Sequence, residues 1–278
     1  MSPAETASPA TPATPPVRFC VLTTQRSGST WLMSALHDVP GIASGMELFL
    51  PHSPAKDPTW LIPEHPESFY DWRRRTGAFR PGAVARYLRE VEARDPAARA
   101  VGFKLMINQA FRYYPEVLPL LRARGYRFVL LTRDFFELAV SRYVVQRTRT
   151  SHLGTSTPAT RRAPPKLHVD PNWLIGDMRR RQWEFRAARI ARRLLGGHWH
   201  TVDYRVLQTD PHTALGGVLR HLGLADAPLP TDSRMVKVLA APYSEFIVNY
   251  TEVLGAVREA GFTPPAPDPD PIAKEAPS

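Results

Sequence analysis

The sequence predicts an α/β protein with a mainly parallel central sheet in a single domain, and three observations support this. Short apolar runs alternate with longer segments of helical periodicity from residue 17 to residue 222, which is the pattern of β-α-β units. The runs are joined through helices rather than through tight hairpin turns, and this favours parallel pairing. A chain of 278 residues with 43% hydrophobic content can form one large or two small domains. The unbroken alternation favours one.

The first predicted strand, residues 17–22, runs into a turn rich in small hydroxyl side chains and then into a helix. At such a junction the unpaired N–H groups of the helix start and the helix dipole attract an anion. Ser27, Ser29 and Thr30 can donate hydrogen bonds to phosphate-type oxygens, and the guanidinium of Arg26 can bind them in a fork. The turn is therefore a candidate phosphate-binding loop.

This loop differs from the triphosphate-binding loop of P-loop NTPases, which needs Gly-x4-Gly-Lys-Ser/Thr. Gly28 stands alone, and the lysine that works with Mg²⁺ on a nucleoside triphosphate is missing. The stretch instead resembles the 5′-phosphosulfate-binding loop of sulfotransferases, whose donor is 3′-phosphoadenosine 5′-phosphosulfate (PAPS). The matching residues are Arg26, Ser27, Gly28, Ser29, Thr30 and Trp31. An ordinary Ser/Gly turn between a strand and a helix would also explain one short match of this kind. A second motif is therefore needed to support the resemblance.

A second candidate motif follows the third predicted core strand, residues 126–132. Arg133 lies at the carboxyl end of that strand, where ligands bind in open parallel sheets. Ser141 follows two turns into the next predicted helix, 135–147, so both side chains can face one phosphate. Asp134 is a natural helix N-cap, and capping alone would also explain an Arg-Asp pair at this junction.

Arg133 and Ser141 resemble the 3′-phosphate-binding motif of sulfotransferases. In that motif Asp or Asn and then Pro follow the arginine; Asp134 agrees, whereas Phe135 replaces the proline. Proline favours the first helical position, so its loss should weaken helix initiation without removing a ligand contact. The resemblance covers residues 19–253. It implies a single three-layer domain with the P-loop-kinase-like fold of PAPS-dependent sulfotransferases, similar to the bacterial carbohydrate and nodulation-factor enzymes.

The second predicted core strand, Ala100–Met106, contains Lys104. A lysine is seldom fully buried without a partner. Its amine therefore either reaches the surface or points at an anion at the carboxyl edge of the strand, and the residues alone do not decide between the two. The resemblance favours the second interpretation, because a Gly-x-Lys strand recurs in these sulfotransferases.

Glu47 and His52 are the candidate bases. Glu47 follows a short predicted strand, 42–44, among apolar residues. It is either an exposed loop glutamate or a partly desolvated carboxylate near the phosphate loop, able to accept a proton. His52 lies in a Pro-rich stretch, where a solvated histidine is the simpler interpretation. The resemblance implies Glu47 as the base, since related bacterial enzymes carry a glutamate after their first helix.

The remaining elements are predicted from periodicity, caps and composition. Helices are expected at 82–94, 109–124, 170–195 and 211–222, with a fourth core strand at 199–204. A polar, Pro-rich stretch, 148–169, is expected to be a lid over the acceptor site. His198 and His200 would share one strand face, a spacing found in metal sites, but no cysteine or carboxylate cluster accompanies them and no metal is expected.

The chain is basic, with a formal net charge of +10, and only five of its 36 basic residues are lysines. Such a field should attract a nucleotide donor, an acidic acceptor or nucleic acid. The only cysteine, Cys20, excludes a disulfide framework and fits a reducing cytoplasm. No apolar run approaches the roughly 20 residues of a membrane helix. Residues 1–16 and 263–278 are Pro-rich and predicted to be disordered, which leaves a domain at 17–262.

The resemblance of the two phosphate motifs implies a sulfotransferase that moves a sulfuryl group from PAPS to a hydroxyl of a carbohydrate, glycolipid or small molecule. Arg26, the loop N–H groups and Lys104 would neutralise the transferred charge without a metal, and Glu47 would take the hydroxyl proton. The resemblance also implies Lys237 as a further contact for the 3′-phosphate, since related enzymes carry a similar Lys-rich segment before an Asn-Tyr or Asn-Phe pair. An ATP- and Mg²⁺-dependent phosphotransferase and a basic nucleic-acid-binding protein remain alternatives. The acceptor and the oligomeric state stay open.

Overall fold

A computed structural model describes residues 15–53, 65–80, 82–148, 165–229 and 242–265 of the chain. Its described part is built on one five-stranded sheet in which every pairing is parallel, with strand order β2-β3-β1-β4-β5. The strands are β1 (Val17–Thr23), β2 (Ile42–Glu47), β3 (Ala100–Met106), β4 (Arg127–Thr132) and β5 (Trp199–Asp203). The predicted α/β class with a parallel sheet is confirmed.

Helices cover both faces of the sheet and make three layers. They are α1 (Ser29–His37), α2 (Phe69–Thr76), α3 (Ala83–Glu92), α4 (Val117–Ala123), α5 (Phe135–Thr148), α6 (Pro171–Leu195), α7 (Tyr204–Thr209), α8 (Pro211–Leu222), α9 (Tyr243–Phe246) and α10 (Tyr250–Glu259). Because alternate strand residues point to opposite faces, Leu22 and Phe103 pack with α2, α3, α4 and α6, whereas Val21 and Val129 pack with α1 and α8. A third cluster joins α5, α6 and α10.

The helix caps follow from the sequence. Asp170 accepts hydrogen bonds from the first N–H groups of α6, and Asp210 does the same for α8; a proline occupies the first turn of both helices. The Asp134 carboxylate accepts from the Glu137 N–H over 3.0 Å and caps α5. Gly223 ends α8 in the left-handed conformation, with φ 77°.

The single helix predicted at 109–124 is wrong. The segment forms a short π-helical turn, Gln109–Tyr113, and then α4. Tyr114 between them has φ −139° and ψ 64°, outside the helical region. Pro115 explains the break, because its ring disfavours a helical residue before it and it has no N–H to donate.

Several predicted segments fall partly or wholly outside the described residues. These are most of the leader 1–16, Lys237, residues 149–164 of the proposed lid, and the tail from residue 266 onward. The described carboxyl-terminal part of this predicted segment, residues 165–169, is anchored by hydrogen bonds. The Leu167 N–H donates to the Phe246 carbonyl over 2.7 Å, and the Val169 N–H donates to the Asn249 side chain over 2.9 Å.

Candidate active site

The loop after β1 turns directly onto the start of α1. Arg26 has φ 70° and Gly28 has φ 86°; a positive φ is uncommon for a non-glycine residue and is often found at functional loops. Gly28 is the N-cap of α1, and it contributes no side chain to the first N–H groups of the helix. Ser29 and Thr30 form the first turn and are largely buried. The predicted strand–loop–helix junction is therefore present in the fold, and its helix start has the geometry that favours an anion.

The two predicted phosphate motifs meet beside this loop. The Arg26 Nε donates to the Ser141 Oγ over 3.2 Å, and the Arg133 Nη1 donates to the Arg26 carbonyl oxygen over 2.8 Å. The Arg133 Nε also pairs with the Glu137 carboxylate over 2.9 Å, and this pair is mostly buried. Parallel strands place their carboxyl ends at one sheet edge, which is why β1 and β4 bring these residues together.

Two neighbouring guanidinium groups concentrate positive charge at this edge. Burial, and then the positive charge of Arg133, lowers the pKa of Arg26 to about 10. Arg26 therefore remains protonated at neutral pH. An anionic ligand would relieve the repulsion between the two cations, so the arrangement favours a phosphate or sulfate group.

Tyr204, the first residue after β5, connects the two motifs from the other side. The Arg133 guanidinium carbon lies 4.1 Å from the centre of its ring, within cation–π distance. The Cε2 atom of Tyr204 lies only 2.2 Å from the position that a Cβ on Gly28 would occupy. Sequence analysis placed Tyr204 at a strand end but gave it no role, because neither contact is local in the chain.

Lys104 is buried rather than extended to the surface. Its Nζ donates to the Thr30 Oγ1 over 3.2 Å and lies 3.4 Å from the Glu47 Oε1. Glu47 pairs in register with Lys104 in the sheet, after an irregularity between Gly45 and Glu47. Such irregularities re-aim side chains at strand ends. Here Glu47 is brought beside Lys104 at the edge that carries the phosphate loop.

Gln109 fixes the other oxygen of this carboxylate, and sequence analysis missed it. Its Nε2 donates to the Glu47 Oε2 over 2.9 Å, while its Oε1 accepts from the Met106 N–H over 3.1 Å. These two bonds determine which way the amide faces. The available signal was position, since Gln109 follows the carboxyl end of β3 by three residues.

A sulfotransferase family model matches residues 18–228, which run from the second residue of β1 to beyond α8 and include every residue described at this sheet edge. The chain belongs to the sulfotransferase family. It is therefore an enzyme that transfers a sulfuryl group, and this replaces the phosphotransferase and nucleic-acid-binding alternatives.

Solved structures similar to this sulfotransferase are distant in sequence. The sulfotransferase domain of the Synechococcus PCC 7002 olefin synthase is 16% identical, with 92% of each chain covered and a TM-score of 0.39. A sulfotransferase from Alicyclobacillus acidocaldarius is 14% identical over 90% of this chain and 97% of its own, with a TM-score of 0.43. The sulfotransferase domain of the curacin biosynthetic pathway is 12% identical over 91% and 99%, with a TM-score of 0.49. No curated protein matches the chain.

The other predicted site residues lie in different settings. His52 of the sulfotransferase is exposed, and its Nδ1 is 2.8 Å from the carbonyl of its neighbour Ser53. His200 stacks on His221, with ring centres 5.5 Å apart. Among the described residues, no three His, Cys, Asp or Glu side chains are arranged to hold a metal ion. No helix in the described ranges is long and apolar enough to cross a bilayer.

Proposed function

We propose that this sulfotransferase uses PAPS as its donor and sulfates a hydroxyl group of a carbohydrate, glycolipid or small-molecule acceptor. The observation that carries the proposal is the convergence of two anion-binding motifs on one sheet edge. Arg26 of the first motif bonds Ser141 of the second over 3.2 Å, and Arg133 bonds the Arg26 carbonyl over 2.8 Å. A donor with phosphate groups at both ends of one nucleoside suits such a double site.

The donor would bind with its 5′-phosphosulfate at the loop and the start of α1. The hydroxyls of Ser27, Ser29 and Thr30 would contact this end of the donor, and Trp31, which packs against the apolar cluster of α1 and α8, would support the helix start. Arg133 and Ser141 would bind the 3′-phosphate, with the Arg133 guanidinium held on the Tyr204 ring. The 3′-phosphate distinguishes PAPS from ATP, which lacks it, and charge-assisted bonds from arginine make that distinction strong.

In the proposed reaction, the acceptor oxygen forms a bond to sulfur while the bond from sulfur to the 5′-phosphate oxygen breaks. The bond electrons leave with the phosphate, and the acceptor proton goes to the Glu47 carboxylate. Lys104, 3.2 Å from Thr30, and Arg26 neutralise the charge that develops on the sulfuryl and phosphate oxygens. These fixed cations do the work that Mg²⁺ does in phosphoryl transfer.

Glu47 is the better base of the two candidates. Its carboxylate is held by Lys104 and Gln109 at 3.4 Å and 2.9 Å, so its orientation is fixed at the sheet edge where the donor would lie. Its side chain is 24% exposed, which leaves part of the carboxylate accessible to an acceptor. His52 is bonded within its own exposed loop.

Donor identity can be tested with adenosine 3′,5′-bisphosphate (PAP), the product left after transfer. Calorimetry with the wild-type enzyme should show tight PAP binding and much weaker binding of AMP and of ATP with Mg²⁺. Arg133→Ala should weaken PAP binding at least a hundredfold, because it removes a positively charged hydrogen-bond donor from a mostly buried site. Arg86→Ala is the matched control, since Arg86 forms an i,i+4 pair with Glu90 as Arg133 does with Glu137.

Preference for ATP with Mg²⁺, or equal binding of PAP and AMP, would contradict the proposed donor. The acceptor class is then found with radiolabelled PAPS and panels of carbohydrates, glycolipids and small hydroxyl compounds, assayed as labelled product. Label found only on amines would contradict the hydroxyl assignment.

We also propose a cytoplasmic location, on the basis of a single buried cysteine with no disulfide partner.

A further inference from the structure

A buried charged cluster lies behind the phosphate loop and includes side chains from α5 and α6. Arg181 is 2% exposed, and the side chains of Asp177 and Glu184 are 4% and 2% exposed. Such a cluster contributes little net stability, because the cost of removing charges from water offsets their attraction. Apolar side chains of similar volume would serve a core as well, so this charge cluster calls for a role other than stability.

One end of the cluster holds the loop through Thr24. The Arg181 Nη1 donates to the Thr24 Oγ1 over 2.6 Å and to the Glu184 carboxylate over 3.0 Å. The Thr24 hydroxyl in turn donates to the same carboxylate oxygen of Glu184. Thr24 is 1% exposed and lies two residues before Arg26. The Thr24 hydroxyl therefore donates one hydrogen bond to α6 and accepts another from it.

The other end holds the helix of the second motif. Arg142, which follows Ser141 on α5, donates through its Nη1 to the Asp177 carboxylate. Arg181 also donates to Asp177, with its Nε 3.3 Å from the Oδ2. A continuous series of contacts thus runs from the residue beside Ser141, through α6, to the loop that carries Arg26.

We propose that Asp177, Arg181 and Glu184 are positioning residues that set the phosphate loop in register with α5, so that the two ends of the donor are bound together. This inference rests on the proposed function for its consequence in donor binding, but its structural part concerns the unliganded protein. The cluster acts through Thr24 at one end and Arg142 at the other.

The test begins without any donor. Thr24→Val keeps the shape of the side chain and removes the hydroxyl. Hydrogen exchange of the loop amides in residues 24–30 should become about fivefold faster or more, as expected when buried hydrogen bonds are lost. Thr24→Ser restores the hydroxyl and should return exchange to the wild-type rate. Thr76→Val, which removes a hydroxyl bonded within α2 to the Trp72 carbonyl, is the matched control.

Asp177→Asn tests transmission, because Asp177 contacts Arg142 and Arg181 but no residue of the loop. Its expected effect is faster exchange in the same loop amides, with the central strands unchanged. Unchanged loop exchange in both Thr24→Val and Asp177→Asn would overturn the proposal. Faster exchange throughout the protein in Thr24→Val would also overturn it, since that result means a role in global stability only.

Donor binding then separates this inference from the proposed function. The ratio of AMP to PAP dissociation constants measures how much the 3′-phosphate adds, and Thr24→Val should reduce it several-fold. A normal ratio in that variant overturns the coupling between the two ends. If the wild-type enzyme does not bind PAP, the proposed donor fails, while the exchange measurements still decide whether the cluster holds the loop.

Discussion

The Arg26 Nε and the Ser141 Oγ lie 3.2 Å apart, although 115 positions separate the two residues in the chain. One residue belongs to the loop before α1 and the other to α5, so the bond joins the two candidate phosphate motifs before any ligand binds. Preorganised polar groups bind a ligand without the cost of ordering them first. If the proposed donor binds here, its two phosphate-bearing ends can displace or extend this contact rather than assemble the site.

Replacement of the proposed base tests the chemistry. Glu47→Gln keeps the size and the contact with Gln109 but cannot take a proton, so kcat should fall about a hundredfold or more. PAP affinity should stay close to the wild-type value. The measurement is steady-state sulfation of an accepted hydroxyl substrate, together with calorimetry.

Two further variants control this result. Glu90→Gln alters an exposed carboxylate of α3 and should leave kcat unchanged. His52→Gln should also keep full activity. A wild-type rate in Glu47→Gln would remove Glu47 as the base, and loss of activity in His52→Gln would transfer the role to the histidine.

Lys104→Met tests the buried cation. Methionine fills most of the space but removes the ammonium group between Thr30 and Glu47. We expect kcat to fall about a hundredfold or more, since charge stabilisation in a buried site is lost, with a smaller effect on KM for the donor. Lys166→Met is the control, because Lys166 is exposed and bonds a backbone carbonyl. A hundredfold rise in KM for the donor with an unchanged kcat would instead assign Lys104 to ground-state binding.

Gly28→Ala should both destabilise the protein and impair donor binding. Gly28 has φ 86°, and an added Cβ would come within 2.2 Å of the Tyr204 ring. The strain and the clash together should cost about 2 to 4 kcal/mol of unfolding free energy, or displace Tyr204 from Arg133. Denaturant unfolding and PAP calorimetry measure the two effects.

Gly82→Ala separates strain from clash. Gly82 is also a helix N-cap, with φ 90°, but nothing lies within 4 Å of its added Cβ. This variant should show only the cost of the backbone conformation, about 1 kcal/mol. Equal destabilisation in the two alanine variants would mean that the contact with Tyr204 contributes nothing.

His221 should make stability depend on pH. Burial first, and then the nearby charges of His200 and Arg127, lowers the pKa of His221 to about 4, below the ordinary value of 6.5. Between pH 4 and pH 6.5, His221 is therefore protonated in the unfolded chain but neutral in the folded chain. The contribution of neutral His221 to the free energy of unfolding is complete above pH 6.5 and is lost as the pH falls toward 4.

The measurement is Tm at pH 7.5 and at pH 5. His221→Leu cannot titrate, so its Tm should fall less over this interval than the wild-type Tm does. His212→Gln removes an exposed histidine of the same helix and should keep the wild-type dependence. An identical fall in the wild type and in His221→Leu would refute the assignment.

Features that depend on residues close together in the chain could be predicted from the amino-acid sequence. The buried strands follow from short apolar runs, and the ends of α6 and α8 from Asp-Pro caps and following glycines. Parallel strands present their carboxyl ends at one edge, so Arg26 and Arg133 could be placed on that edge from their positions alone. The break before Pro115 was also encoded locally, although helical periodicity concealed it.

Contacts between side chains far apart in the chain could be known only from the folded protein. The contact of Thr24 with Glu184 spans 160 positions, and that of Gln109 with Glu47 spans 62. The Tyr204 ring contacts the Arg133 guanidinium and lies close to Gly28, and both relationships likewise depend on β4 and β5 lying side by side. Periodicity states which face of an element is buried, but not which element covers it. Strand order and helix docking are set by packing of the whole core, because many weak contacts far apart in sequence must be satisfied together.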